Sequence, residues 1–173
     1  MDHHLSRVLA AAFAIGLLAA GCAQKSGSSA TAQGWKLGHN EALCFMQKDV
    51  GGRPFLMTLM KFGHSKDGGM LEMTFVDRSL QLSSADRTPV DLTFDSGVID
   101  EYGIWKATDA KDPDNTYVVK ITTYLLKDIF SVMSKASSLA LTAEKKSTSF
   151  DLPGFGDAAA ALRQCAEDHA VIL

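Results

Sequence analysis

The sequence predicts an α+β domain: a curled antiparallel β-sheet, barrel- or sandwich-like, of about seven or eight strands, with two helices packed on it. Three observations lead there. Short apolar, β-branched or aromatic runs recur about every ten residues between turn formers. Only two segments carry the 3.6-residue apolar period of a helix. Nothing repeats at a solenoid period. With 173 residues, 46% hydrophobic and 21% charged, the chain has the balance of one folded domain, not of a disordered chain.

The elements follow in order. Glu41 to Lys48 is apolar and aromatic enough for a strand, and Asp49-Val50-Gly51-Gly52-Arg53-Pro54 turns it. Phe55 to Phe62 is the next strand, Gly63 to Gly69 the next turn, and Met70 to Val76 the third strand. Ser79 to Ser83 is read as a short fourth. Val90-Asp91-Leu92-Thr93-Phe94 alternates apolar and polar residues, as a half-buried strand does. Tyr102 to Ala107 and Thr116 to Thr122 continue the sheet around an Ala110–Asn115 loop. Between Tyr124 and Ala136, Leu126, Ile129, Phe130 and Met133 mark one helix face. Leu139 to Ala143 and Thr148 to Leu152 return to strand character on either side of Lys145-Lys146. Pro153-Gly154 ends the last strand, and Asp157 to His169 is an Ala-rich helix. Its stripe of Phe155, Ala158, Leu162, Cys165 and His169 faces one side.

Upstream of the domain the residues read as an address. Met1 to Arg7 is a short polar start, and Val8 to Ala20 is apolar apart from Gly16. Thirteen residues are too few to cross ~30 Å of hydrocarbon, which takes ~20, but they suit the apolar region of a secretory signal peptide. The run ends Leu18-Ala19-Ala20-Gly21-Cys22, which resembles the lipobox of bacterial lipoproteins. The resemblance implies cleavage before Cys22 and lipid modification, palmitate included, on that cysteine. It also implies a periplasm-facing protein anchored in the cell envelope. Ala23, not Asp, follows Cys22, and by resemblance to enterobacterial sorting that favours the outer membrane over the inner.

The expected organisation is therefore a signal peptide over 1–21, a flexible tether over 22–34 and one β-rich globular domain over 35–173. The tether expectation rests on Ala23 to Gly34, small and polar residues that cannot bury enough surface to order themselves. With Cys22 assigned to lipid, Cys44 and Cys165 remain as an even pair in an exported chain, and a disulfide between them is expected.

Ser149-Phe150-Asp151-Leu152-Pro153-Gly154-Phe155-Gly156-Asp157-Ala158 resembles the end of the invasion-associated locus B family. Those are exported bacterial β-rich proteins that close with a strand, Gly-Phe and an Ala-rich helix. The resemblance implies fold and export more than an activity.

Lys and Arg number 17 against 20 Asp and Glu, a net charge of −3, which argues against nucleic acid as a partner. Gly63-His64-Ser65-Lys66-Asp67 lacks the second glycine of a nucleophile elbow and reads as a turn. No His-Glu-x-x-His, Cys-x-x-Cys or phosphate-binding glycine loop occurs, so no metal site and no cofactor are expected. Asp109, Asp112, Asp114 and Asn115 are hard oxygen ligands without the twelve-residue calcium pattern, and are read as turn formers. Asp91, Asp95, Asp100 and Glu101 could supply paired carboxylates for glycoside hydrolysis, Asp91 and Asp95 with the same strand parity, but are read as a solvated strand face. His39, His64 and His169 are read as structural or exposed. Met46, Met57, Met60, Met70 and Met73 fall within one stretch and are read as core, with Met57 and Met60 on opposite faces.

The leading expectation is a lipid-anchored envelope protein without catalytic residues. It would meet the membrane through Cys22 and a possible envelope protein partner through its domain, in a binding or structural role. The alternatives are an envelope hydrolase using the Asp91/Asp95 face and a periplasmic enzyme inhibitor presenting the Gly63–Gly69 loop.

Overall fold

The structure is a computed structural model that describes residues 27–30, 32–61, 69–83, 87–106, 116–123 and 126–169. Among the described residues ten strands form one antiparallel sheet. They are β1 (Gly27–Ala30), β2 (Lys36–His39), β3 (Leu43–Val50), β4 (Arg53–Lys61), β5 (Gly69–Val76), β6 (Thr88–Phe94), β7 (Gly97–Lys106), β8 (Thr116–Thr123), β9 (Ser138–Ala143) and β10 (Lys146–Asp151). Helix α1 (Leu126–Met133) lies between β8 and β9, and helix α2 (Phe155–Asp168) closes the described chain. The spatial order is β1-β2-β3-β4-β5-β8-β7-β6-β9-β10. The first five strands meander outward, and β6, β7 and β8 fold back so that β8 pairs with β5. The sheet is curled and not closed.

Alternation sets which face is buried. β5 and β6 alternate buried and more exposed positions without a break, so every second side chain enters the core. Across four neighbouring strands Met46, Met57, Met73 and Val119 form one buried row. Phe55, Phe75 and Tyr117 form the next. The curl brings β10 over them: the Phe150 ring lies 5.6 Å from Phe55 and 5.2 Å from Phe75, both at steep angles. Met60 and Met70 pair on the opposite, half-buried face, so Met57 and Met60 do point to different sides.

Two expectations change. The sheet has ten strands because β1 and β2 precede the first strand read from the sequence, and β1 lies inside the 22–34 stretch expected to be a tether. Gly27-Ser28-Ser29-Ala30 has no apolar pattern, but an edge strand needs only backbone partners, and Leu37 and its neighbours in β2 supply them. Ser79 to Ser83 is not a strand. There the chain bends around the Asp77 carboxylate, which accepts from the amides of Ser79 and Leu80, while Leu80 and Leu82 still point inward. The helices fall where the apolar period puts them. α1 buries Ile129, Phe130 and Met133, and α2 buries Phe155, Ala158, Leu162 and Cys165. No helix among the described residues is long and apolar enough to cross a membrane.

Candidate functional site

A concavity of about 580 Å³ lies on the outer side of β2, β3, β4 and β5, toward the β3–β4 hairpin. Strand register explains it. Lys36, Gln47, Leu56 and Thr74 stand opposite one another on four adjacent strands, and Asp49 and Pro54 form the next row of β3 and β4. Leu56 and Val76, both half-buried, form its apolar floor, with Pro54, Thr74, Phe55 and Phe75 beside them. Lys36, Gln47 and Asp49 stand exposed at its rim. An apolar floor with a few polar groups at the edge is the composition of a binding groove.

The hairpin end of the groove is held rigid from behind. Trp35 is fully buried and donates from Nε1 to the Pro153 carbonyl at 3.0 Å. Its ring packs 6.1 Å from Phe55 and 5.6 Å from Phe155. Lys48 donates to the same carbonyl at 3.0 Å, and its ammonium lies 5.5 Å from the centre of the Trp35 ring. These contacts join residues 118 and 105 positions apart in the chain, so no local pattern signals them.

A polar staple joins the start of β4 and the end of β5 to β10. Asp77 is 2% exposed. Arg53 Nη1 donates to its Oδ2 at 3.1 Å, and the Thr148 hydroxyl donates to the same oxygen. Ser79 donates to Oδ1 from Oγ at 2.6 Å and from its amide at 2.8 Å. Arg53 also reaches the Ser149 carbonyl at 2.9 Å and lies over the Phe150 ring, 4.4 Å from its centre. Burial pushes the Asp77 carboxyl up. The hydrogen bonds from Ser79 and Thr148 and from the amides of Ser79 and Leu80 outweigh it and hold the group below the usual carboxylate range. With both oxygens occupied by donors, this carboxylate is a structural anion.

The two described carboxylates of the acidic strand face have different surroundings. Asp91 is exposed on β6. Asp95 lies beyond the strand's end, where Oδ1 accepts from the amides of Ser137 at 2.9 Å and Ser138 at 3.2 Å, and Oδ2 accepts from Ser137 Oγ at 2.5 Å. The hydrogen bonds from the Ser137 hydroxyl and amide lower the Asp95 carboxyl below its usual value. Three strand residues lie between Asp91 and Asp95, so their Cα atoms are at most about 13 Å apart. The side chains of Asp100 and Glu101 lie outside the described residues, as do Cys22, His64, Asp109, Asp112, Asp114, Asn115 and the Gly63–Gly69 loop up to residue 68.

Four other candidates come together. Cys44 and Cys165 are disulfide-bonded with Cα atoms 6.2 Å apart, closing a separation of 121 residues. Cys44 stands opposite His39 across β2 and β3. His169 caps α2, its amide donating to the Cys165 carbonyl at 3.1 Å. His169 therefore leaves the buried stripe and stacks on His39 instead. With both sulfurs in the bridge, neither cysteine is a nucleophile for these imidazoles. Among the described residues no group of three or more His, Cys, Asp or Glu could hold a metal ion. No family model, curated protein or solved structure matches the chain.

Proposed function

We propose that the chain is a lipid-anchored, periplasm-facing protein of the bacterial cell envelope that binds rather than catalyses, with an apolar segment of an envelope protein as its partner. The groove on β2 to β5 carries this reading. Its floor of Leu56 and Val76 offers apolar contact, and Lys36, Gln47 and Asp49 at the rim can fix an incoming chain by polar contacts. The lipobox-like run ending in Cys22 supports the anchor. The bridge between Cys44 and Cys165 supports an oxidising compartment, where such crosslinks persist.

A photo-crosslinking residue at Gln47, in intact cells, tests the binding role. It should capture a discrete envelope protein, whereas the same residue at Val98, exposed on β7, should not. Equal labelling at both positions would remove the groove from the account. The anchor is tested by Cys22→Ala, which should move the protein from the membrane fraction to the soluble one.

A further inference from the structure

We infer that the end of the domain carrying His39, Asn40–Ala42 and His169 is held against the phospholipid headgroup layer, with the groove directed away from it. The inference rests on the lipid-anchor reading and adds an orientation to it. It follows from β1. A free linker over Ala23–Gly34 would leave the domain able to present any side to the bilayer. With Gly27–Ala30 paired to β2, only Ala23 to Ser26 separates Cys22 from the sheet. Five Cα steps span at most about 18 Å. A domain of this size has a radius of gyration near ~14 Å, so the far side of the fold lies beyond that reach.

Register then says which end is near. Gly27 stands opposite His39, and Ala30 opposite Lys36, so the chain enters β1 at the His39 end. Cys44 stands opposite His39, and the disulfide brings the last turn of α2 to the same end. The groove is centred toward the other end of these strands, with Lys36 at its near rim opposite Ala30. From Cys44 to Asp49, where β3 meets Pro54, is about 17 Å along the strand. Glu41, Glu167 and Asp168 are exposed at or beside the near end, so a short leash and not charge attraction holds that end at the surface. An envelope partner would then reach the groove from the periplasm without displacing lipid.

The test uses the full chain, processed in cells, extracted from the envelope and reconstituted into vesicles of phosphatidylethanolamine and phosphatidylcholine with a headgroup-attached energy acceptor. One variant carries a fluorescent residue at Ala42 and another at Pro54, both exposed. Flotation of the protein with the vesicles, with transfer from Ala42 at least about twofold above that from Pro54, is the expected result, given the short reach of five Cα steps. Flotation with equal or reversed transfer overturns the orientation alone. Failure to float with the vesicles overturns the anchor and the orientation together.

Discussion

The imidazoles of His39 and His169 stack face to face, their centroids 3.8 Å apart and their planes 16° from parallel. The contact lies beside the crosslink. His39 stands opposite Cys44 in the sheet, and His169 sits one helical turn beyond Cys165. The bridge joins the third strand to the last helix, the elements that enclose most of the domain.

Cys165→Ser should therefore act first on α2. A disulfide of this loop length contributes by restricting the unfolded chain, and its loss from a small secreted domain costs ~2–5 kcal/mol. For a domain near 150 residues that is a drop of roughly 4–20 °C in Tm. Amide exchange should rise at Cys165, Ala166 and His169 before it rises in β4 and β5. An unchanged Tm, or uniform exchange across sheet and helix, would contradict the assigned role.

Asp77 makes stability depend on acid. Its folded carboxyl lies below the unfolded value of ~3.9, so the ionised form is favoured by folding. A lowered folded value gives a contribution present in full above about pH 4 and lost as pH falls through the folded value. Asp77→Asn should cost about 1–3 kcal/mol at pH 7, because donors from Ser79, Thr148 and Arg53 lose an anionic partner. The gap between variant and wild type should narrow by pH 3. Urea denaturation at the two pH values measures it; a gap that widens in acid would refute the assignment.

Much of the fold was legible because the core writes itself as local pattern. The alternation of Val90 to Phe94 and the spacing of Ile129, Phe130 and Met133 are direct projections of which side chains are buried. β1 was not legible, since its pairing uses backbone atoms that every residue possesses. The groove was not legible either. It arises from the juxtaposition of Leu56 with Thr74 and Gln47, which depends on register between strands. Arg53, Asp77 and Thr148 are ordinary surface residue types whose meeting is visible only after the sheet curls. The Cys44 and Cys165 pair was legible by count and compartment, not by any contact.

Asp95 and Asp91 should respond differently to removal of charge. Asp95→Ala frees the amides of Ser137 and Ser138, so their exchange should accelerate and the turn before β9 should loosen. The lowered Asp95 carboxyl adds stability that is present above its ordinary value and fades as pH falls through the folded one. Asp91→Asn changes an exposed group and should leave the melting curve within about 0.5 kcal/mol of wild type. Hydrolysis of peptidoglycan, esters or peptides by the wild type that disappears in Asp91→Asn would establish the hydrolase in place of the binding protein.

A close approach of backbone to Gly156 supplies a test of sign. Gly156, in the first turn of α2, donates its amide to the Ala136 carbonyl at 3.1 Å. A Cβ there would stand 2.5 Å from the Ser134 carbonyl oxygen and 3.0 Å from its carbon, atoms that cannot swing aside as a side chain would. Helix propensity alone favours alanine over glycine by up to ~1 kcal/mol, less in a first turn than in an interior. Overpacking against backbone costs about 1–3 kcal/mol and should win. Gly156→Ala is thus expected to lower stability by displacing α2 from the end of α1, with the 3.1 Å hydrogen bond lost. Ala160→Gly, exposed in the middle of the same helix, should also destabilise, by ~1 kcal/mol, through propensity alone. If Gly156→Ala instead raised Tm while Ala160→Gly lowered it, propensity would govern both sites, and the contact between α2 and the Ser134 carbonyl would be loose enough to yield.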